Sequence, residues 1–128
     1  MEYHPLYVRG VELFNAREFY EAHDVWEELW QDWRGPESQF FKGLIQAAVA
    51  LFHFGNGNIH GARKLYRSSS GYLAPYAPAY LGLDVDTFLS QFERCFADVL
   101  ASDEERPAVK LDADLIPEIE LAPLGGTP

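Results

Sequence analysis

The stretch Gln39–Phe54, QFFKGLIQAAVALFHF, decides how this chain folds. Phe40, Phe41, Leu44, Ile45, Ala47, Ala48, Val49, Ala50, Leu51, Phe52 and Phe54 point in every direction around an α-helix. A helix that is apolar all round must be enclosed by protein or by lipid. This one is interrupted by Lys42, Gly43, Gln46 and His53, and it is shorter than the roughly 18–20 apolar residues of a membrane span. It therefore predicts the central buried helix of a small all-α bundle. Gln46 and His53 are two turns apart and share one stripe of that helix. Polar groups on a buried stripe need partners, so a site is expected there.

The rest of the composition agrees with a folded globule. A chain of 128 residues with 48% hydrophobic and 15% aromatic content can bury one core and is not the composition of a disordered segment. The formal net charge of −10 argues against nucleic acid as a partner, because phosphate backbones call for clustered Lys and Arg. Only Arg63, Lys64 and Arg67 stand close together. The single cysteine, Cys95, excludes an internal disulfide and falls among Phe92, Phe96 and Val99 in an apolar-periodic segment, as a small core residue does. The opening MEYHPLYVRGVELF has neither the basic nor the apolar region of a signal peptide. The expectation is a cytoplasmic protein with no membrane partner, a monomer or a homodimer.

Five helices are predicted. Pro5 opens the first, which runs to about Asn15; Asn15 and Glu18, three apart, suggest a capping box for the second. That second helix spans about Arg17–Trp33. On it Phe19, Ala22, His23, Trp26, Glu27, Trp30 and Trp33 recur at spacings of three and four, an apolar face broken only by His23 and Glu27. Arg34-Gly35-Pro36 reads as its stop, with Gly at the cap. The third helix is Gln39–Phe54. Asn58 is the predicted cap of a fourth, Ile59 to about Gly71. Tyr72–Gly82, with Pro75 and Pro78, reads as a loop. Asp84 or Asp86 caps a fifth helix from about Val85 to Ala101. Residues 1–101 are thus expected to form one helical domain. Residues 102–128 are an acidic, Pro-containing tail, part of which can dock through Leu111, Leu115, Ile116, Ile119 and Leu121. An offset of 40 lays Asn15–Trp30 over Gly55–Ser70, matching Ala22, Val25 and Trp26 to Ala62, Leu65 and Tyr66, the look of two helical hairpins loosely like tetratricopeptide units.

Three blocks occur in order: FNAREFYEAHDVWEELW at 14–30, GLIQAAVALFH at 43–53 and GNIHGARKL at 57–65. In this the chain resembles the DUF309 family of small all-helical proteins, over about Phe14–Leu73. His23, Glu27, Glu28, Leu29 and Trp30 match in the first block. Gly43, Leu44, Ile45, Gln46, Ala48 and His53 match in the second, and Asn58, Gly61 and Ala62 in the third. The resemblance implies an α-helical bundle of unknown function.

The polar residues suggest three kinds of chemistry. His23 and Glu27, four apart, are neighbours on their helix. With His53 they form a two-His, one-carboxylate set of the kind that binds zinc or iron, which would make the protein a small metal-dependent hydrolase. The same residues, with Trp30, Gln46 and Asn58, are candidates for a polar pocket between the second and third helices that binds a small molecule. In the third reading His23 and Glu27 are a hydrogen-bond network inside the core of a module that docks a protein or peptide. A buried carboxylate at Glu27 would cost several kcal/mol unpaired, which favours a site over mere packing.

Overall fold

The computed structural model describes residues 3–33, 35–101 and 109–123. Arg34, the acidic stretch at Asp103–Glu105 and the terminal Gly125–Pro128 lie outside the described residues. The fold is all-α: α1 (Pro5–Asn15), α2 (Phe19–Asp32), α3 (Ser38–Gly55), α4 (Ile59–Leu73), α5 (Val85–Cys95) and the short α6 (Ala97–Ala101). Helix α2 packs on α1 and α3, and α3 packs on α2 and α4, so α3 is the central helix. Ten of its residues are buried, among them Phe40, Phe41, Leu44, Leu51 and Phe54. Only a narrow row is left half-buried.

The two helical hairpins share one turn geometry at the offset of 40. Glu18 N–H donates to Leu13 O at 2.9 Å, and Asn58 N–H donates to His53 O at 2.9 Å. Arg17 N–H bonds Phe14 O, and Gly57 N–H bonds Phe54 O. The residue at the corner is left-handed in both, Arg17 at φ 68° and Gly57 at φ 79°. Glycine adopts that region without strain and arginine does not. Ala22 and Trp26 in the first hairpin and Ala62 and Tyr66 in the second point into the core.

Several local expectations need correction. The capping box at Asn15 does not form: Glu18 is the N-cap of α2 and makes no side-chain cap bond. The left-handed Arg17 closes the C-terminus of α1 and leaves Asn15 as its last residue. Its amide instead grips the main chain of Ile119, accepting from the N–H and donating to the carbonyl, both at 2.8 Å. Helix α2 stops at Asp32 because Trp33 turns extended (ψ 131°), one residue before Arg34 and two before the glycine expected to stop it. The segment 72–82 is not all loop: α4 continues to Leu73, a 3₁₀ turn follows at Ala74–Tyr76, and β1 (Ala79–Tyr80) pairs antiparallel with β2 (Leu83–Asp84). Leu81 (φ 47°) and Gly82 (φ 80°) both take positive φ, the two-residue hairpin turn whose twist suits antiparallel strands. The single fifth helix is broken at Phe96 (φ −98°, ψ 6°). The break coincides with Phe96 stacking on Tyr66 at 5.0 Å and packing on Phe54 and Phe92.

Other caps match the sequence. Asn58 Oδ1 accepts from Gly61 N–H at 3.1 Å at the start of α4, and Asp84 Oδ1 accepts from Thr87 N–H at 2.9 Å at the start of α5. That bond holds the Asp84 carboxyl below the usual carboxylate range. Residues 109–123 lie against the domain, with Ile116 and Ile119 buried and Leu111, Leu115 and Leu121 half-buried on the core. Tyr3 hydroxyl donates to Ala122 O, and Ala122 N–H donates to Gly82 O at 2.9 Å.

Candidate functional site

Helix α2 buries one row, Phe19, Ala22, Trp26 and Leu29, against its neighbours. Tyr20, His23, Glu27 and Trp30 fall on the flank beside that row, spaced three, four and three, and so stand at the edge of the α2–α3 contact. On α3 the half-buried row is Lys42, Gln46, Val49 and His53, one residue per turn. On α4 the flank Leu65, Ser68 and Tyr72 is half-buried in the same way. Lys42 joins the two walls: its Nζ lies 5.9 Å from the centre of the Trp30 ring and 4.9 Å from that of Tyr72. Toward the other end, the Tyr20 ring stands 5.4 Å from Phe52 and 5.5 Å from His23. His23, Glu27 and Trp30 therefore lie beside a half-buried row of α3 that includes Gln46 and His53, not on the buried face of α2 where their periodicity placed them.

His23 Nε2 is 2.8 Å from Glu27 Oε2, with the side chains 20% and 41% exposed. Glu27 Oε2 accepts a hydrogen bond from His23 Nε2–H; with the ring proton on Nε2, Nδ1 is an acceptor. Nδ1 is 3.3 Å from Asp24 Oδ1, yet the two are not aligned for a hydrogen bond, and Nδ1 is buried without a hydrogen-bond partner. Glu27 itself is not the buried carboxylate that the sequence led us to expect. It sits on the flank with its side chain 41% exposed.

Two more polar atoms along this contact are buried without partners, Trp30 Nε1 and Gln46 Oε1. The other two indoles are satisfied: Trp26 Nε1–H donates to Tyr7 O at 3.1 Å and Trp33 Nε1–H to Glu37 Oε2 at 2.7 Å. A cavity of about 370 Å³ opens beside Trp30, walled by Trp30, Gln31, Trp33 and Ser38.

His53 and Asn58 form a separate pair. Asn58 Nδ2 lies 3.3 Å from His53 Nδ1, while Asn58 Oδ1 caps α4. His53 is in the last turn of α3 and is held by the turn that follows it. Among the described residues no three His, Cys, Asp or Glu side chains converge to hold a metal ion. His23, Glu27 and His53 are thus not gathered into the three-ligand set that the metal-dependent reading requires. The sequence reasoning passed over three residues: Tyr20, Lys42 and Tyr72. Lys42 carried a usable signal, being the one charged side chain in Gln39–Phe54. A charge there has to emerge where the helix is least covered.

The comparisons with known proteins agree with the blocks read from the sequence. The model of the DUF309 family, a domain of unknown function, matches residues 7–65. The chain is 32% identical over 92 residues to the uncharacterized protein YpuF of Bacillus subtilis (strain 168), an alignment covering 70% of this chain and 53% of YpuF. It is 41% identical over 46 residues to an uncharacterized protein of Aquifex aeolicus (strain VF5), covering 35% of this chain and 14% of that protein. The chain therefore spans about half of the first relative and a small part of the second. No helix among the described residues is long and apolar enough to cross a membrane.

Proposed function

We propose that this protein, a DUF309-type chain over residues 7–65, is a cytoplasmic binding protein for a small polar molecule held between α2 and α3. The observation that carries the reading is the set of three buried, unpartnered polar atoms along one seam, His23 Nδ1, Trp30 Nε1 and Gln46 Oε1. Each such atom costs about 1–3 kcal/mol when left unpaired. A helix interface gains nothing from them that Phe, Leu or Met would not supply. Together they offer an indole donor, an amide acceptor and an imidazole acceptor, the few placed polar groups among aromatics that typify small-molecule sites.

A thermal-shift screen of polar metabolites against wild type, Gln46→Leu and Trp30→Phe tests this. The expected hit raises the melting temperature of wild type and loses most of that shift in both variants, because each removes a hydrogen-bonding group of the seam. A ligand whose shift survives both substitutions binds elsewhere, and the seam is then not the site.

A further inference from the structure

Resting on the reading above, we infer that the ligand carries a carboxylate, seated beside Trp30 and bonded by Lys42. Lys42 is the cation on the half-buried row of α3, and none of the ion pairs among the described residues involves it. Its ammonium is held instead between the faces of Trp30 and Tyr72. That contact fixes where the charge sits without neutralising it. The same Trp30 ring walls the 370 Å³ cavity, and its buried Nε1–H has no acceptor. Ser38, one turn before Lys42 on α3, lines the cavity on the other side. Of the carboxylates on the same elements, Glu27 is engaged by His23 and Glu37 by Trp33. Trp30 thus carries the Lys42 ammonium over its face and an unpartnered N–H at its edge, and among the described residues neither is bonded to a carboxylate, in a protein whose net charge is −10. Two acceptor oxygens on one carbon fit two such donors, and a charge-assisted bond to each is about twice as strong as a neutral one. The remaining polar atoms follow at one-turn steps, Gln46 and then His23. A neutral hydrogen-bonding group roughly 6–10 Å from the carboxylate would reach them, one to two helical turns along the α2–α3 seam.

The test is a matched pair of one shape and different charge: 4-hydroxyphenylacetate and 4-hydroxyphenylacetamide, titrated into the full chain with NMR detection of the indole N–H signals. Trp30→Phe assigns the Trp30 signal. The acid should bind about tenfold tighter than the amide, the effect of one charge-assisted hydrogen bond, and should shift the Trp30 N–H resonance. Lys42→Arg should keep that preference and Lys42→Met should erase it. A preference that survives Lys42→Met overturns the inference. So does binding of neither compound at millimolar concentration. Equal binding of acid and amide that Gln46→Leu abolishes also overturns the carboxylate, while leaving the seam as a binding site.

Discussion

Replacing His23 by Phe and Glu27 by Leu together should leave the protein at least as stable as wild type. The ion pair is worth little: at 2.8 Å, with side chains 20% and 41% exposed, an i,i+4 pair contributes about 0.3–0.5 kcal/mol after solvent screening. Against it stands His23 Nδ1, buried without a hydrogen-bond partner, at a cost of about 1–3 kcal/mol. Asp24 Oδ1 at 3.3 Å is itself an acceptor and does not relieve that cost. Phe at position 23 would also pack on Tyr20, whose ring is 5.5 Å from the imidazole. The balance is a gain of about 1 kcal/mol, which in a chain of this size raises the melting temperature by about 3–5 °C. Urea unfolding of wild type, both single variants and the double variant would close the cycle and isolate the coupling between the two side chains. A loss of 1 kcal/mol or more in the double variant, or a broadened transition with a lower m-value, would refute the reasoning. The pair would then be holding α2 on α3, and the seam would be a structural network rather than a site. Equal or greater stability means that the polar pair is kept for something other than folding, as binding and active sites often are.

The shared turn makes a second prediction: Arg17→Gly should stabilise by about 0.5 kcal/mol, the relief of a left-handed residue less the entropy glycine adds to the unfolded chain, while Gly57→Ala should cost about 1 kcal/mol. Loss of stability in Arg17→Gly, or no loss in Gly57→Ala, measured by urea unfolding would show that the two corners are not equivalent. Asn15→Ala removes both hydrogen bonds to the Ile119 main chain and should lower stability by about 1–3 kcal/mol, with faster hydrogen exchange at the Ile119 amide. Unchanged exchange there would mean that Asn15 does not anchor the tail. Burial pushes the Cys95 thiol up from its ordinary value to about 12. An aromatic disulfide reagent at pH 8 should therefore label Cys95 only after denaturation. Because the unfolded thiol ionises first, this group's contribution to stability should be whole below pH 9 and lost progressively as pH rises toward about 12. Rapid labelling of the native protein would place Cys95 at the surface.

The sequence by itself determined the helical class and the central element. Gln39–Phe54 is apolar in every direction, and that admits few environments. Pro5, Asn58 and Asp84 marked helix starts correctly because their side chains act on backbone groups one to three residues away, a local matter. The contact of His23 with Glu27 was legible for the same reason: four residues on one helix are neighbours wherever the helix goes. What only the tertiary structure decided was which way those residues face. Periodicity put His23, Glu27 and Trp30 on the apolar face with Trp26, but α1 and α3 cover a narrower row and leave the three on a flank. The floor row of α3 acquired its walls from α2 and α4 together, and Lys42 found Trp30 and Tyr72, residues 12 and 30 positions away in the chain. Asn15 had a plausible local partner in the capping box and took a distant one instead, Ile119, because the left-handed turn at Arg17 turned its amide toward the tail. Spacing along a chain encodes contacts within one helix; it does not encode which neighbouring helix arrives to cover a given flank.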